Sequence, residues 1–241
     1  MDLQNKTILI TGAARRLGKE MALAAAKAGS DIIIHHNNSP TEAELTKSEI
    51  TALGRKARII QSDFSDPNQV QELISKAFQN GPIFGLINSA SIFSDLTWEN
   101  TSLDDWEAHL SINLTAPFLL SQAFAQKQPP GLSARIINIL DWRALRPGTD
   151  HFPYTVTKSG LLAMTKSLAA ALAPEIVVNG VAFGAILPPS DGGDVSEVLD
   201  NVPANRWAEM DEVQKTILFL LTGPAYITGE IIHLDGGRHL I

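Results

Sequence analysis

What most constrains this chain is a change of hydrophobic period that recurs along its whole length. Short apolar or β-branched runs at 7–10, 32–34, 57–60, 84–87, 135–140, 176–178 and 230–234 alternate with longer stretches of helical period. The helical stretches lie at 17–28, from Ser39-Pro40-Thr41-Glu42 onward, at 66–78, 103–125, 153–173 and 210–221. Runs apolar on both faces and separated by helices are what a parallel sheet covered on both sides requires. Right-handed crossovers then make a doubly wound open sheet of about seven strands the economical α/β arrangement. No linker breaks the alternation and no period repeats, so 1–241 reads as one domain. Pro117 is expected to bend the 103–125 helix. The one long irregular stretch, about 185–208, is rich in Pro, Gly, Asp and Ser and reads as a substrate loop.

Composition narrows the partners. The net charge is −7, with 19 basic and 26 acidic residues, and leaves no electrostatic footprint for nucleic acid. No apolar run reaches the roughly 18 residues of a membrane span. The polar start, Met1 to Thr7, lacks the apolar region of a secretory signal, so a cytoplasmic protein acting on a small molecule is expected. The absence of cysteine removes disulfides, thiolate catalysis and zinc–sulfur sites.

The residues Thr11-Gly12-Ala13-Ala14-Arg15-Arg16-Leu17-Gly18 join the first strand to the first helix. Glycines there let backbone approach a pyrophosphate at a helix N-terminus; a tight turn without ligand is the alternative. An acidic residue at the end of the second strand would bind the ribose hydroxyls of NAD. That place holds His35, His36, Asn37, Asn38 and Ser39, and Asp31 stands at the strand's other end. With Arg15 and Arg16 adding positive charge, NADP(H) is favoured over NAD. Ser39 either meets the extra phosphate or only caps the next helix. His35 and His36 point to opposite faces of a strand, so no metal is expected. Tyr154 and Lys158, four apart on a helix, share a face. An ammonium beside a phenol favours the phenolate and makes the pair a plausible proton donor to C=O or C=N.

At this point the chain resembles the short-chain dehydrogenases/reductases over essentially its whole length. The resemblance rests on the Thr11–Gly18 turn, Asp63, Asn88-Ser89-Ala90, Asn113, Tyr154-x-x-x-Lys158, Val178-Asn179-Gly180, Thr228-Gly229 and Asp235-Gly236-Gly237. It implies a Rossmann-like subunit in which Tyr154 is the acid/base and Lys158 holds the nicotinamide ribose and depresses the phenol's pKa. Asn113 would support a proton-relay water, and Asp63 would contact adenine. Phe64, Asn88, Ser89, Ala90, Gly184 and Ile186 would complete the cofactor's surroundings. It also implies a homo-tetramer or homo-dimer built on the two long helices.

Four positions depart from the usual family pattern. Arg16 replaces the turn's middle glycine, Asp141 the catalytic serine thirteen residues before the tyrosine, Ser91 a glycine, and Phe183-Gly184 a Pro-Gly. Three of them, together with Phe93, resemble the pteridine reductase and dihydromonapterin reductase subgroup, although Asn38 stands where that subgroup often has arginine. Phe93 would stack on a flat pterin, Arg16 would bridge cofactor phosphate and substrate, and Asp141 with Tyr154 would pass a proton to a ring nitrogen. The expectation is an NADPH-dependent reductase of a pterin- or folate-like heteroaromatic. The alternatives are a general carbonyl reductase acting on a 3-oxoacyl thioester or a sugar, and a non-catalytic nucleotide sensor. Trp142, Arg143 and Arg146 have no assignment from sequence.

Overall fold

Seven parallel strands form one sheet in the order β3-β2-β1-β4-β5-β6-β7. The computed structural model describes residues 2–188 and 198–241. The strands are β1 (Thr7–Ile10), β2 (Asp31–His36), β3 (Ala57–Gln61), β4 (Gly85–Asn88), β5 (Ala134–Asp141), β6 (Ile176–Phe183) and β7 (Ile231–Leu234). The helices are α1 (Arg16–Lys27), α2 (Pro40–Ala52), α3 (Pro67–Ala77), α4 (Leu103–Leu110), α5 (Ala116–Lys127), α6 (Phe152–Leu172) and α7 (Met210–Thr222).

The period-two alternation of each strand sorts its side chains into two cores. Ile8, Ile10, Ile32, Ile34, Ile87 and Ile137 pack with α1, α2 and α7 on one face. Leu9, Ile33, Leu86, Ile136 and Val178 pack with α3, α5 and α6 on the other. Burying a side chain of this size stabilises by roughly 1.5–3 kcal/mol, so both faces must be covered. Among the described residues, no helix is long and apolar enough to cross a membrane.

Three departures from the sequence expectations have physical causes. The 176–178 run extends to Phe183, although Asn179-Gly180 has the composition of a turn. Asn179 is held inside the sheet, its Nδ2 donating to Ile227 C=O at 2.8 Å and its Oδ1 accepting from Glu230 N–H at 2.8 Å. The 103–125 helix is interrupted before Pro117, by a π turn over Ser111–Thr115. Pro117 has no N–H to give the Asn113 carbonyl four residues earlier, and the ladder widens ahead of it. Ser39 stands at the N-cap of α2, but its side chain makes no capping bond. Of the 185–208 loop, 189–197 and with it most of the polar 188–194 stretch lie outside the described residues.

Candidate active site

The strand ends β1, β2, β4 and β5 converge where the sheet order reverses, the usual crevice of a doubly wound sheet. Gly12 adopts φ +66°, and a Cβ there would lie 3.0 Å from Ala90 Cα. Arg16 is also left-handed, at φ +52°, where the family's glycine would carry no strain; an arginine bears about 1 kcal/mol. A Cβ on Gly18 would sit 2.1 Å from the Gly12 carbonyl oxygen, so helix and turn meet backbone to backbone. The N-terminus of α1 has no side-chain cap and no acidic residue in its first turn. Its dipole and amides are therefore uncompensated, an arrangement that fits a nucleotide pyrophosphate. Thr11 was not singled out by sequence. Its Oγ1 accepts from Ser89 N–H at 2.8 Å and Ala90 N–H at 2.9 Å, tying the turn to β4.

Several residues expected around the cofactor make bonds within the scaffold. His35 is 2% exposed; its Nδ1 accepts from Gly12 N–H at 3.2 Å and its Nε2 faces Ser62 C=O at 3.0 Å. Its ring stacks on Phe64 at 4.2 Å, and burial lowers its pKa to about 4. His35 is thus a neutral strut under the phosphate turn, with Phe64 as its packing partner. Asp63 Oδ1 accepts from the Ser65 N–H and hydroxyl at 2.9 and 2.8 Å. Asn88 turns inward, donating to Asn138 Oδ1 at 2.8 Å and Ser121 Oγ at 3.3 Å. Ile186 is buried in the core and Leu17 packs against it. Gly184 permits the close passage of Asp235, whose Cα a Cβ would meet at 2.6 Å. Asn37, Asn38, Arg15 and Arg16 are exposed beside the turn, and Ser39 is half-buried. Asp31 pairs with Arg55 at 2.7 Å at the opposite strand end.

The reactive end is assembled from β5, α6 and the segment after β4. Tyr154 donates to Asp141 Oδ2 at 3.2 Å. Phe93 lies edge-on to the Tyr154 ring at 4.6 Å, with its own ring stacked on His151 at 3.8 Å. Phe93 is half exposed, and His151, to which the sequence does not point, stacks on one face of it. Ser91 Oγ donates to Asn113 Oδ1 at 3.0 Å. The Asn113 amide also accepts from Ile92 N–H at 2.9 Å and donates to Ile92 C=O at 3.0 Å. The Asn113 side chain therefore clamps the segment that carries Phe93 and is not free to hold a water. Arg16 does not join the phenol cluster; its guanidinium donates to Pro188 C=O at 2.8 Å, at the base of the irregular loop.

Lys158, expected to act on the phenol, is held from β5. Lys158 Nζ donates to Ile139 C=O at 2.7 Å and stands 5.5 Å from the centre of the Tyr154 ring. Burial brings the lysine down to about 8, which Asp141 partly offsets. The Tyr154 phenol is pushed well above its usual value, first by burial and then by the charge and hydrogen bond of Asp141. Arg143 pulls the other way. The guanidinium of Arg143 lies 3.6 Å from Asp141 and pairs with Asp150, while Arg143 and Arg238 both lie against the Trp142 ring. Among the described residues no group of three or more His, Asp or Glu could hold a metal.

Comparison with known proteins agrees with this geometry. The family described as enoyl-(acyl carrier protein) reductase matches residues 12–239. The chain is a short-chain dehydrogenase/reductase. As a member of that family it is an oxidoreductase whose chemistry runs through a nicotinamide cofactor. A 3-oxoacyl-[acyl-carrier-protein] reductase of Synechocystis sp. is 33% identical over 240 residues, covering 98% of this chain and 97% of that protein. The NADP complex of FolM, an alternative dihydrofolate reductase from Brucella canis, is 33% identical with TM-score 0.91, over 100% of this chain and 97% of that one. A blue fluorescent protein from a metagenomic library, in complex with NADPH, is 34% identical with TM-score 0.91 over 99% of each chain.

Proposed function

We propose that this short-chain dehydrogenase/reductase is an NADPH-dependent reductase of a pterin- or folate-like heteroaromatic. The observation that carries the reading is the Asp141 carboxylate 3.2 Å from the Tyr154 hydroxyl, with Phe93 alongside. Ketone reduction builds negative charge on oxygen, and a carboxylate at that point opposes it. Reduction of a ring C=N instead delivers a hydride to carbon and a proton to nitrogen, so no oxyanion forms. The carboxylate then accepts from the N–H edge of the ring, and Tyr154 gives its proton to the ring nitrogen. Phe93 offers a flat apolar surface for a heteroaromatic. The likeness to FolM supports the same substrate class.

The α1 N-terminus and the Gly12 and Gly18 backbone fit the cofactor's pyrophosphate; bound NADPH supplies the hydride. The missing carboxylate at the end of β2, with Arg15, Arg16, Asn37, Asn38 and Ser39 around it, favours the extra phosphate of NADPH. Lys158, four residues after Tyr154 on α6, would hold the nicotinamide ribose. With the Asn113 side chain committed, the relay water falls to its carbonyl, for which Pro117 supplies no N–H. Exposed Phe118 on α5 and Val156 on α6 support pairing of copies across those helices.

A second reading, 3-oxoacyl thioester reduction, is favoured by the Synechocystis relative. The two separate in one assay of NADPH oxidation with dihydrofolate, dihydrobiopterin and a 3-oxoacyl thioester. Pterin or folate turnover that Asp141→Ser abolishes is expected. Thioester turnover without pterin or folate turnover would replace this reading with the second.

A further inference from the structure

Arg143 has no part in the reading above, yet the reactive end of the site meets on it. It sits in the 3-10 turn Trp142–Ala144 that follows β5. Its backbone N–H donates to Asp141 Oδ1 at 2.9 Å, and its guanidinium is 3.6 Å from that same oxygen. Oδ1 is thereby occupied and Oδ2 is left for Tyr154. Another guanidinium nitrogen donates to Asp150, which lies on the segment leading into α6. The guanidinium centre is 5.7 Å from the Phe93 ring and 4.9 Å from the Trp142 ring, and the side chain is only 13% exposed.

We propose that Arg143 is a positioning residue of the acid. Clamped between Asp141 and Asp150, it aims the free Asp141 oxygen at the Tyr154 hydroxyl and supplies the positive charge which that pair senses. The groups around the pair are few. Tyr154 faces Asp141 from β5, Arg143 from the turn and Lys158 from α6. Arg143 faces Asp141, Asp150 and Arg238 of the C-terminal segment, and His151 Nε2 lies 3.8 Å from Asp150. Lys158 has its ammonium bonded to a β5 carbonyl and makes no hydrogen bond to the free Asp141 oxygen among the described residues. The cation in direct contact with Asp141 is the arginine two residues after the aspartate, beside the lysine on the tyrosine's own helix. Without the guanidinium the carboxylate keeps only the backbone N–H on Oδ1, and its charge is less compensated beside a buried phenol. The phenol becomes a weaker acid and proton transfer slows.

This inference rests on Tyr154 being the acid and not on which substrate it serves, and the test separates the two. The chain has two tyrosines, and Tyr226 is fully exposed. Protein grown with 3-fluorotyrosine therefore gives two fluorine signals, with Tyr226 as internal reference and Tyr154→Phe as assignment. Fluorination makes phenols more acidic and brings Tyr154 toward a measurable pH range. Expected is an upward move of the Tyr154 midpoint by about one pH unit in Arg143→Gln, a downward move in Asp141→Asn, and little change in Arg143→Lys. On whichever compound is turned over, Arg143→Gln should lower kcat about ten-fold or more with KM within about three-fold, and Arg143→Lys should recover most of it. Should Arg143→Gln not fold, Arg143→Met fills the same slot without charge and carries the same test. A Tyr154 midpoint unmoved relative to Tyr226, or lowered, or a kinetic loss confined to KM, overturns the proposal. A protein that reduces no pterin but passes the fluorine test overturns only the substrate assignment.

Discussion

Acid should loosen this protein through one buried ring, His35. Its Nδ1 lone pair accepts the Gly12 N–H and its Nε2 faces the Ser62 carbonyl, so only the neutral ring satisfies both. Burial holds its folded pKa at about 4, against the ordinary 6.5 of an exposed histidine. The unfolded chain thus takes up the proton first, and stability present above pH 6.5 is lost progressively as the pH falls toward 4. Between pH 7 and pH 5 this one group removes about 2 kcal/mol, roughly a thirty-fold change in the unfolding equilibrium. Urea unfolding at both pH values, in the wild type and in His35→Asn, measures it. Asparagine puts an oxygen near the place of Nδ1 but does not titrate. His109, His233, Asp66, Asp105, Asp150 and Glu212, also shifted on folding, titrate in both proteins and cancel. A difference of about 2 kcal/mol between the two acid losses is expected. Equal acid losses in the two proteins would refute the strut.

Gly18→Ala should destabilise by about 1–3 kcal/mol and weaken NADPH binding more than ten-fold, because its Cβ would meet the Gly12 carbonyl oxygen at 2.1 Å. Near-native unfolding and cofactor titration would show that helix and turn tolerate separation. Ser39→Asp places a carboxylate at the end of β2, so fluorescence titration should show NADPH affinity falling at least ten-fold with NADH unchanged or tighter. Parallel losses for both cofactors would mean that the residue shapes α2 and not the phosphate site.

The period changes along the chain determined the order and type of elements, because a parallel sheet buried on both faces leaves its apolar runs in plain view. The phosphate turn was equally legible, since positive φ and close approach demand particular residues at Gly12 and Gly18. The Tyr154–Lys158 spacing was legible as a shared helix face, but spacing says nothing about what else reaches a phenol. Only the folded chain showed that Asp141 and Arg143 reach the Tyr154 hydroxyl end alongside Lys158. Only it showed that His35 and Asn113 brace the site from below, and that His151 and Asp150 close on it from the segment before α6. The reason is physical: local sequence fixes backbone period and turn conformation, whereas charge and burial at one atom are sums over neighbours from distant segments. Those sums exist only once the strands have set their order.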